Sequence, residues 1–149
     1  MSAYRQLVDR FKQISSIRGA SAMLGWDAET MMPDGASGVR GEQLAALAAV
    51  AHEKITDPAI SDWIEEAKGE GLEGWDAANL NEIERTYRHA NALPADLVAE
   101  LTKATSNCSH VWQAARPKDD FEAFSAAFEP VLKMVQEASV AKSEALGLD

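Results

Sequence analysis

The spacing of apolar residues constrains this chain more than any other feature of its sequence. Apolar side chains recur at steps of three and four residues, which keeps them on one face of an α-helix. Leu7, Phe11 and Ile14 show this spacing near the start, and Phe128 and Leu132 show it near the end. The 27 alanines also favour helix, because alanine loses no side-chain entropy there. We predict an all-α protein, an antiparallel helical bundle of about six helices.

Breaker and capping residues predict where the early helices begin and end. The first helix is expected to run to about Trp26. Residues 27–38 contain Pro33 and two glycines, so the longest interruption is predicted there. Asp76 is a candidate N-cap for the fourth helix, because its short carboxylate can accept from free backbone N–H groups.

The last helix carries two further signals. Asp119 and Glu122 have the spacing of a capping box at its start. Pro130 is expected to kink the helix or divide it into two, because proline lacks the N–H that a helix needs. Residues 145–149 are predicted to form a turn between helices.

Length and charge limit the class of protein. A chain of 149 residues fits one domain, 1–149, and can bury roughly 70% of its unfolded surface. The net charge of −10 repels phosphate backbones and anionic lipid, so neither nucleic acid nor membrane is an expected partner. No signal peptide or membrane span is visible at the start, and the cytoplasm is the expected location. The single cysteine, Cys108, is predicted to be a core thiol.

The histidines do not form a recognisable metal motif. His52-Glu53 resembles the beginning of a His-Glu-x-x-His zinc motif, but Thr56 stands where the second histidine is required. We interpret His52 as a helix-end residue near the carbonyl pole. His89 and His110 are expected to be partly exposed on helix flanks.

Carboxylates and tryptophans also receive structural interpretations. An acid–base pair needs two carboxyl groups held together with different pKa values, whereas pairs such as Asp27 and Glu29 are expected to be caps or solvated helix positions.

The chain has four tryptophans, Trp26, Trp63, Trp75 and Trp112, and three of the four lie on or beside apolar stripes. Core packing is therefore predicted for them rather than an aromatic binding cage.

One long segment resembles a known family. The run from Leu24 to Pro33, followed by Arg40-Gly41-Glu42-Gln43-Leu44 and by residues 47–53, resembles the N-terminal part of carboxypeptidase Taq-type metallocarboxypeptidases. Ala92-Leu93-Pro94 and later aromatic positions are similar to the same family's following helices. The resemblance extends over essentially the whole chain.

The resemblance implies a larger helical peptidase that removes single residues from peptide C-termini. Such enzymes hold zinc or cobalt with a His-Glu-x-x-His helix and a downstream glutamate. No position of this sequence matches those ligands, so we predict no catalytic residue, no metal ligand and no bound metal in this chain. The expected partners are a peptide substrate and the missing C-terminal part of the same protein, and the chain alone is predicted to be inactive.

The residues that carry the resemblance are predicted to be structural. They are Trp26, Asp27, Met32, Pro33, Arg40, Glu42 and Gln43. We expect Trp26 to anchor the first helix, while Asp27 caps or pairs near the start of the second helix with Arg40.

Two other functions stay open at this point. A stand-alone helical module can bind a partner through an exposed apolar groove and needs no missing ligand. An independent hydrolase using His52 and Glu53 is disfavoured, because the second ligand is absent. If part of a larger enzyme is missing, the chain should expose an apolar patch or bury it by self-association, for example as a homodimer.

Overall fold

The computed structural model describes residues 1–147 and is helical almost throughout. Within this range there are six α-helices and no strand, which confirms the all-α prediction. The helices are α1 (Ala3–Thr30), α2 (Ser37–Ile55), α3 (Ala59–Lys68), α4 (Gly74–Asn91), α5 (Ala95–Ala115) and α6 (Phe121–Leu146). None of them combines the length and the apolar character needed to cross a membrane.

Two packing regions hold the helices together. The beginning of α1 packs with α3 and α4 around a buried cluster of Ala3, Leu7, Ile60, Ile64, Ala67, Leu80 and Ile83. Further along, α2 lies against α1 and α5, and α5 also packs against α6. Cys108 on α5 is buried, which confirms the predicted core thiol.

Helix α1 is longer than predicted. It continues past Trp26 to Thr30, and the Thr30 hydroxyl donates to the Trp26 carbonyl at 2.7 Å. The prediction was wrong because Ala28 and Glu29 are good helix formers, and the first true breaker is Pro33. The interruption is therefore shorter than predicted, residues 31–36, but it is still the longest between two α-helices of residues 1–147, and it contains one 3₁₀ turn, Asp34–Ala36.

Two predicted caps are also wrong. Asp76 lies inside the first turn of α4, and its Oδ1 accepts from the Tyr4 hydroxyl at 2.8 Å. At α6 the cap is Asp120, whose carboxylate accepts from the Ala123 N–H at 3.0 Å. Asp119 has a φ of 52° and ends the preceding 3₁₀ turn, so it is one residue too early to cap α6.

The end of the chain departs from the predicted turn. Helix α6 continues through Pro130 without division and ends at Leu146. Gly147 follows with a φ of 64°, a conformation that glycine adopts at helix C-termini without steric cost. The remaining two residues of the predicted turn over 145–149, Leu148 and Asp149, lie outside the described residues.

Helix α6 has no buried residue, although it is rich in apolar side chains. The exposed ones at helical spacing are Phe121, Phe128, Leu132 and Val135, which we call the α6 stripe. Phe124 lies between the first two, and its ring stacks on Phe128 with centroids 5.5 Å apart. The predicted exposed apolar patch is thus present.

Most tryptophans are not in the core. Trp63 packs against the buried cluster. Trp26, Trp75 and Trp112 are 59%, 90% and 46% exposed, so the prediction of core packing is wrong for them. Their helices do carry apolar stripes, but the rest of residues 1–147 covers Trp26 and Trp112 only in part and leaves Trp75 almost fully exposed.

Candidate functional site at the junction of α1, α2 and α5

Arg40 joins the end of α1 to the start of α2. One of its terminal nitrogens donates to the Asp27 carboxylate at 2.6 Å, and the other donates to the Leu24 carbonyl at 2.5 Å. Its Nε donates to Gln43 Oε1 at 3.1 Å, one turn along α2. The predicted pairing of Asp27 with Arg40 is present. The Arg40 side chain is only 13% exposed, so the guanidinium is largely removed from water.

A second polar connection links α1 to α5. The Glu29 carboxylate accepts from the Ser109 hydroxyl at 2.6 Å and from the Gln113 side-chain amide. Ser109 and Gln113 are four residues apart and therefore lie on the same face of α5. Glu29 is exposed, as expected for a solvated helix position, but Asp27 and Glu29 are both also hydrogen-bonded to side chains of other helices.

Glu42 extends the junction from α2 to α5. Its carboxylate lies 3.1 Å from Lys103 Nζ, which also approaches Glu100 at 3.6 Å. The hydrogen bond to Glu42 is the main cause that raises the pKa of Lys103 above its ordinary value. Three helices are thus held in register by charged or polar contacts.

A cavity of about 350 Å³ lies beside these contacts. Glu29 from the end of α1 and Met32 from the following connection line it together with Ser109, His110 and Gln113 from α5. The structure therefore brings together Asp27, Arg40 and Gln43, and it places Met32 against the adjoining cavity. Trp26 and Pro33 are exposed, and the proposed anchoring role of Trp26 fails for this reason.

Sequence reasoning missed Glu29, Ser109, Gln113 and Lys103. Glu29 stands within the run that carries the family resemblance, and this was a usable signal. The four-residue spacing of Ser109 and Gln113 predicts a shared face. Nothing in the local sequence, however, indicates that this face meets α1, since the hydrogen-bonded residues are 80 and 84 positions apart.

The donor set around His52 does not fit zinc or cobalt. His52 is buried in the last turn of α2, and desolvation lowers its pKa, so the neutral imidazole is favoured rather than a cation at the carbonyl pole. Glu53 is exposed, and the Thr56 hydroxyl donates back to the His52 carbonyl at 2.8 Å. No group of three or more metal-ligating side chains occurs within residues 1–147. His89 and His110 are partly exposed, as predicted.

Comparison with known proteins identifies the family. Residues 6–147 match the family described as carboxypeptidase Taq (M32) metallopeptidase. The chain belongs to this family. The family-like run from Leu24 to Pro33 is the segment that supplies Asp27 and Glu29 to the junction.

Individual relatives agree with this family. Thermostable carboxypeptidase 1 of Thermus thermophilus is 35% identical over 149 residues, which is 97% of this chain but 28% of that protein. Metallocarboxypeptidase 1 of Trypanosoma cruzi is similar in structure, with a TM-score of 0.70 and 31% identity over 95% of this chain and 28% of that one. The crystal structure of BsuCP has a TM-score of 0.87 at 20% identity, covering 97% of this chain and 31% of that one, and supports the fold alone.

The chain therefore spans less than a third of the length of the relatives that it matches. In the BsuCP structure the helices α1 to α6 correspond to 31% of the chain.

Proposed function

We propose that this chain is the N-terminal helical part of a cytoplasmic metallocarboxypeptidase that removes residues from peptide C-termini. In this proposal residues 1–149 form a single helical domain. Zinc or cobalt is held by a His-Glu-x-x-His helix elsewhere in the protein, and the isolated chain is inactive. Trp26, Asp27, Met32, Pro33, Arg40, Glu42 and Gln43 then have structural roles.

The match of residues 6–147 to a metallopeptidase family carries this proposal. The chain covers only 28% of a relative of the same family, which leaves most of such a protein to supply the ligands. Within this sequence, Thr56 occupies the position that a second zinc-binding histidine needs. The contacts of Arg40 are those of a residue that fixes helices, because all three of its hydrogen-bond partners belong to α1 or α2.

The α6 stripe fits the same proposal. Large apolar side chains in a row on one helix face are usually covered by another element or by a partner. In the proposed enzyme the remaining polypeptide packs there. A homodimer in which two α6 stripes meet is a second way of removing these side chains from water.

The α6 stripe also favours the alternative, a stand-alone interaction module. Phe121, Phe128, Leu132 and Val135 are exposed at the spacing by which one helix binds a partner helix or groove. This alternative needs no metal and no further catalytic portion.

Reading the gene beyond codon 149 separates these two functions. An in-frame His-Glu-x-x-His on a predicted helix is the expected result. A stop codon directly after codon 149 contradicts the peptidase proposal and supports the interaction module.

A second measurement tests whether this chain is inert. The purified chain is dialysed against zinc and against cobalt, and bound metal and release of C-terminal residues from N-blocked dipeptides are then measured. We expect less than stoichiometric metal and no hydrolysis. One tightly bound metal per chain together with peptide cleavage contradicts the assignment of the catalytic centre to another part of the protein.

A further inference from the structure

A second cavity, of about 410 Å³, lies among five of the six helices and is separate from the junction contacts of Arg40. Side chains from α1, α2, α4, α5 and α6 line it. Its wall is mainly aliphatic, with contributions from Leu44, Leu47, Ile55, Leu93 and Val98. No phenylalanine, tyrosine or tryptophan of the described residues takes part, and the only rings are the imidazoles of His52 and His89. The wall therefore suits a flexible aliphatic body better than a flat ring.

The charges around this cavity are all of one sign. The chain carries 24 acidic and 14 basic residues, yet within residues 1–147 no aspartate or glutamate lines the cavity, whereas Arg18 and Lys142 do. Arg18 is exposed and Lys142 is half-buried, so both side chains reach solvent as well as the cavity. The charged side chains that line this cavity are thus both cationic, in a chain whose net charge is −10.

Both cations lack an acidic partner. Most other lysines and arginines of the chain form ion pairs, such as Arg10 with Asp57 at 2.7 Å. Arg18 and Lys142 have neither an ion pair nor a hydrogen bond to another side chain within residues 1–147, and of the six cations without an ion pair there they are the two that line this cavity. They come from helices more than 120 positions apart in sequence, but they line the same space. Their free donors are available to an anion at the cavity opening.

The polar side chains of the cavity other than Arg18 and Lys142 are two imidazoles and three hydroxyls. His52 lines it and is buried, and the same burial that lowers its pKa keeps the imidazole uncharged. Ser21, Thr86 and Thr102 add hydroxyl groups, and the half-buried His89 adds a second imidazole. A ligand body that enters here loses water without meeting a buried charge.

We propose that this cavity binds a small aliphatic carboxylate, with its carboxylate at Arg18 and Lys142 and its hydrocarbon chain against Ile55, Leu93 and Val98. The cavity volume exceeds that of a medium-length acyl chain, and the positive opening selects an anion over a cation of the same shape. This binding site goes beyond the proposed peptidase function and does not depend on it.

Octanoate, 1-octanol and octylammonium test this proposal, because they share the hydrocarbon body and differ in charge. Binding is followed by the methyl signals of Ile55, Leu93 and Val98 in two-dimensional NMR spectra of the 149-residue chain. The methyl signals of Val140 on α6 report binding to the exposed surface instead. We expect octanoate to shift the cavity signals at about tenfold lower concentration than octanol, and octylammonium to shift them least.

Variants of the cations give the matched control. Arg18→Gln and Lys142→Gln are each expected to weaken octanoate binding about two- to fivefold, and the double variant about tenfold, while octanol binding is unchanged. Arg88→Gln removes a cation of α4 that does not line this cavity and should leave octanoate binding unchanged. Circular dichroism verifies that each variant is folded, which is expected because these side chains are at least partly exposed.

Three results overturn the proposal. Octanol binding as tightly as octanoate shows that the cations do not contribute. Octanoate affinity that is the same in the double variant shows that the carboxylate lies elsewhere. Shifts at Val140 without shifts at Ile55 show that octanoate binds the exposed surface and not the cavity.

Discussion

Replacing Arg40 with alanine tests whether the junction of α1 and α2 depends on one side chain. The substitution removes hydrogen bonds to the Asp27 carboxylate, the Leu24 carbonyl and Gln43. Asp27 is 37% exposed and regains some water, whereas the Leu24 carbonyl lies under the lost guanidinium. We therefore expect a loss larger than that of a surface ion pair and smaller than that of a fully buried one.

The expected magnitude follows from these exposures. A hydrogen bond to a charged group contributes about 1.5–3 kcal/mol net, and an exposed ion pair contributes about 0–1 kcal/mol. With one largely buried partner and one half-exposed partner, Arg40→Ala should lower the free energy of unfolding by about 2–3 kcal/mol. Arg40→Lys should recover only part of this loss, because an ammonium cannot reproduce the three directions of the guanidinium donors.

Urea unfolding followed by circular dichroism at 222 nm measures these changes. A double-mutant cycle with Asp27→Ala should give a coupling free energy of about 1–2 kcal/mol. Arg85→Ala is the control, because Arg85 and its partner Glu82 are both 63% exposed, and its unfolding midpoint should not change measurably. A coupling free energy below about 0.3 kcal/mol, within the error of additivity, refutes the idea that the pair fixes the junction.

Three further predictions concern the core and the titrating groups. Leu7 has 0% exposure, so Leu7→Ala should lower the free energy of unfolding by about 2–5 kcal/mol. Leu132→Ala on the α6 stripe should change it by less than about 0.5 kcal/mol. Equal losses for the two variants in denaturant titrations contradict the assigned core. Burial lowers the pKa of His52, so protonation favours the unfolded chain, and stability should fall as pH drops below the unfolded-state pKa of about 6.5. His52→Asn should flatten that part of the stability–pH curve, and an unchanged slope disproves the assignment. The hydrogen bond from Arg10 lowers the pKa of Asp57, so its contribution is present above the unfolded-state pKa of about 3.9 and is lost as pH falls through the lower folded-state value. Asp57→Asn should remove this acid-sensitive contribution to stability, measured by thermal melts between pH 5 and about pH 2. If the variant loses stability in acid as steeply as the original chain, Asp57 does not supply this contribution.

Helix content and approximate boundaries were predictable because they depend on local interactions. A helix requires hydrogen bonds four residues apart and a face of apolar side chains, and both are visible in the sequence. The error at the start of α6 occurred where two neighbouring residues were nearly equivalent candidates for the same cap. The carboxylates of Asp119 and Asp120 are both able to cap α6, and the left-handed conformation of Asp119 decided in favour of Asp120.

The candidate site was predictable only in part. Asp27 and Arg40 are close in sequence, so their pairing followed from the positions of two adjacent helices. The partners of Glu29 are on α5, and only packing brings that helix to α1. Exposure was the least predictable property. Trp26, Trp112 and Phe128 belong to apolar helix faces, but the sequence does not show which neighbouring element, if any, covers such a face.

The sequence alone determined that this chain is helical, where most helices lie and which family it resembles, because period, capping and an ordered run of residues are local properties of the chain. Tertiary structure decided the rest. Only the packing of the helices brought Glu29 to its partners on α5, buried His52 and let Arg18 and Lys142 line one cavity. These outcomes depend on contacts between distant segments, whose free energies no local pattern encodes.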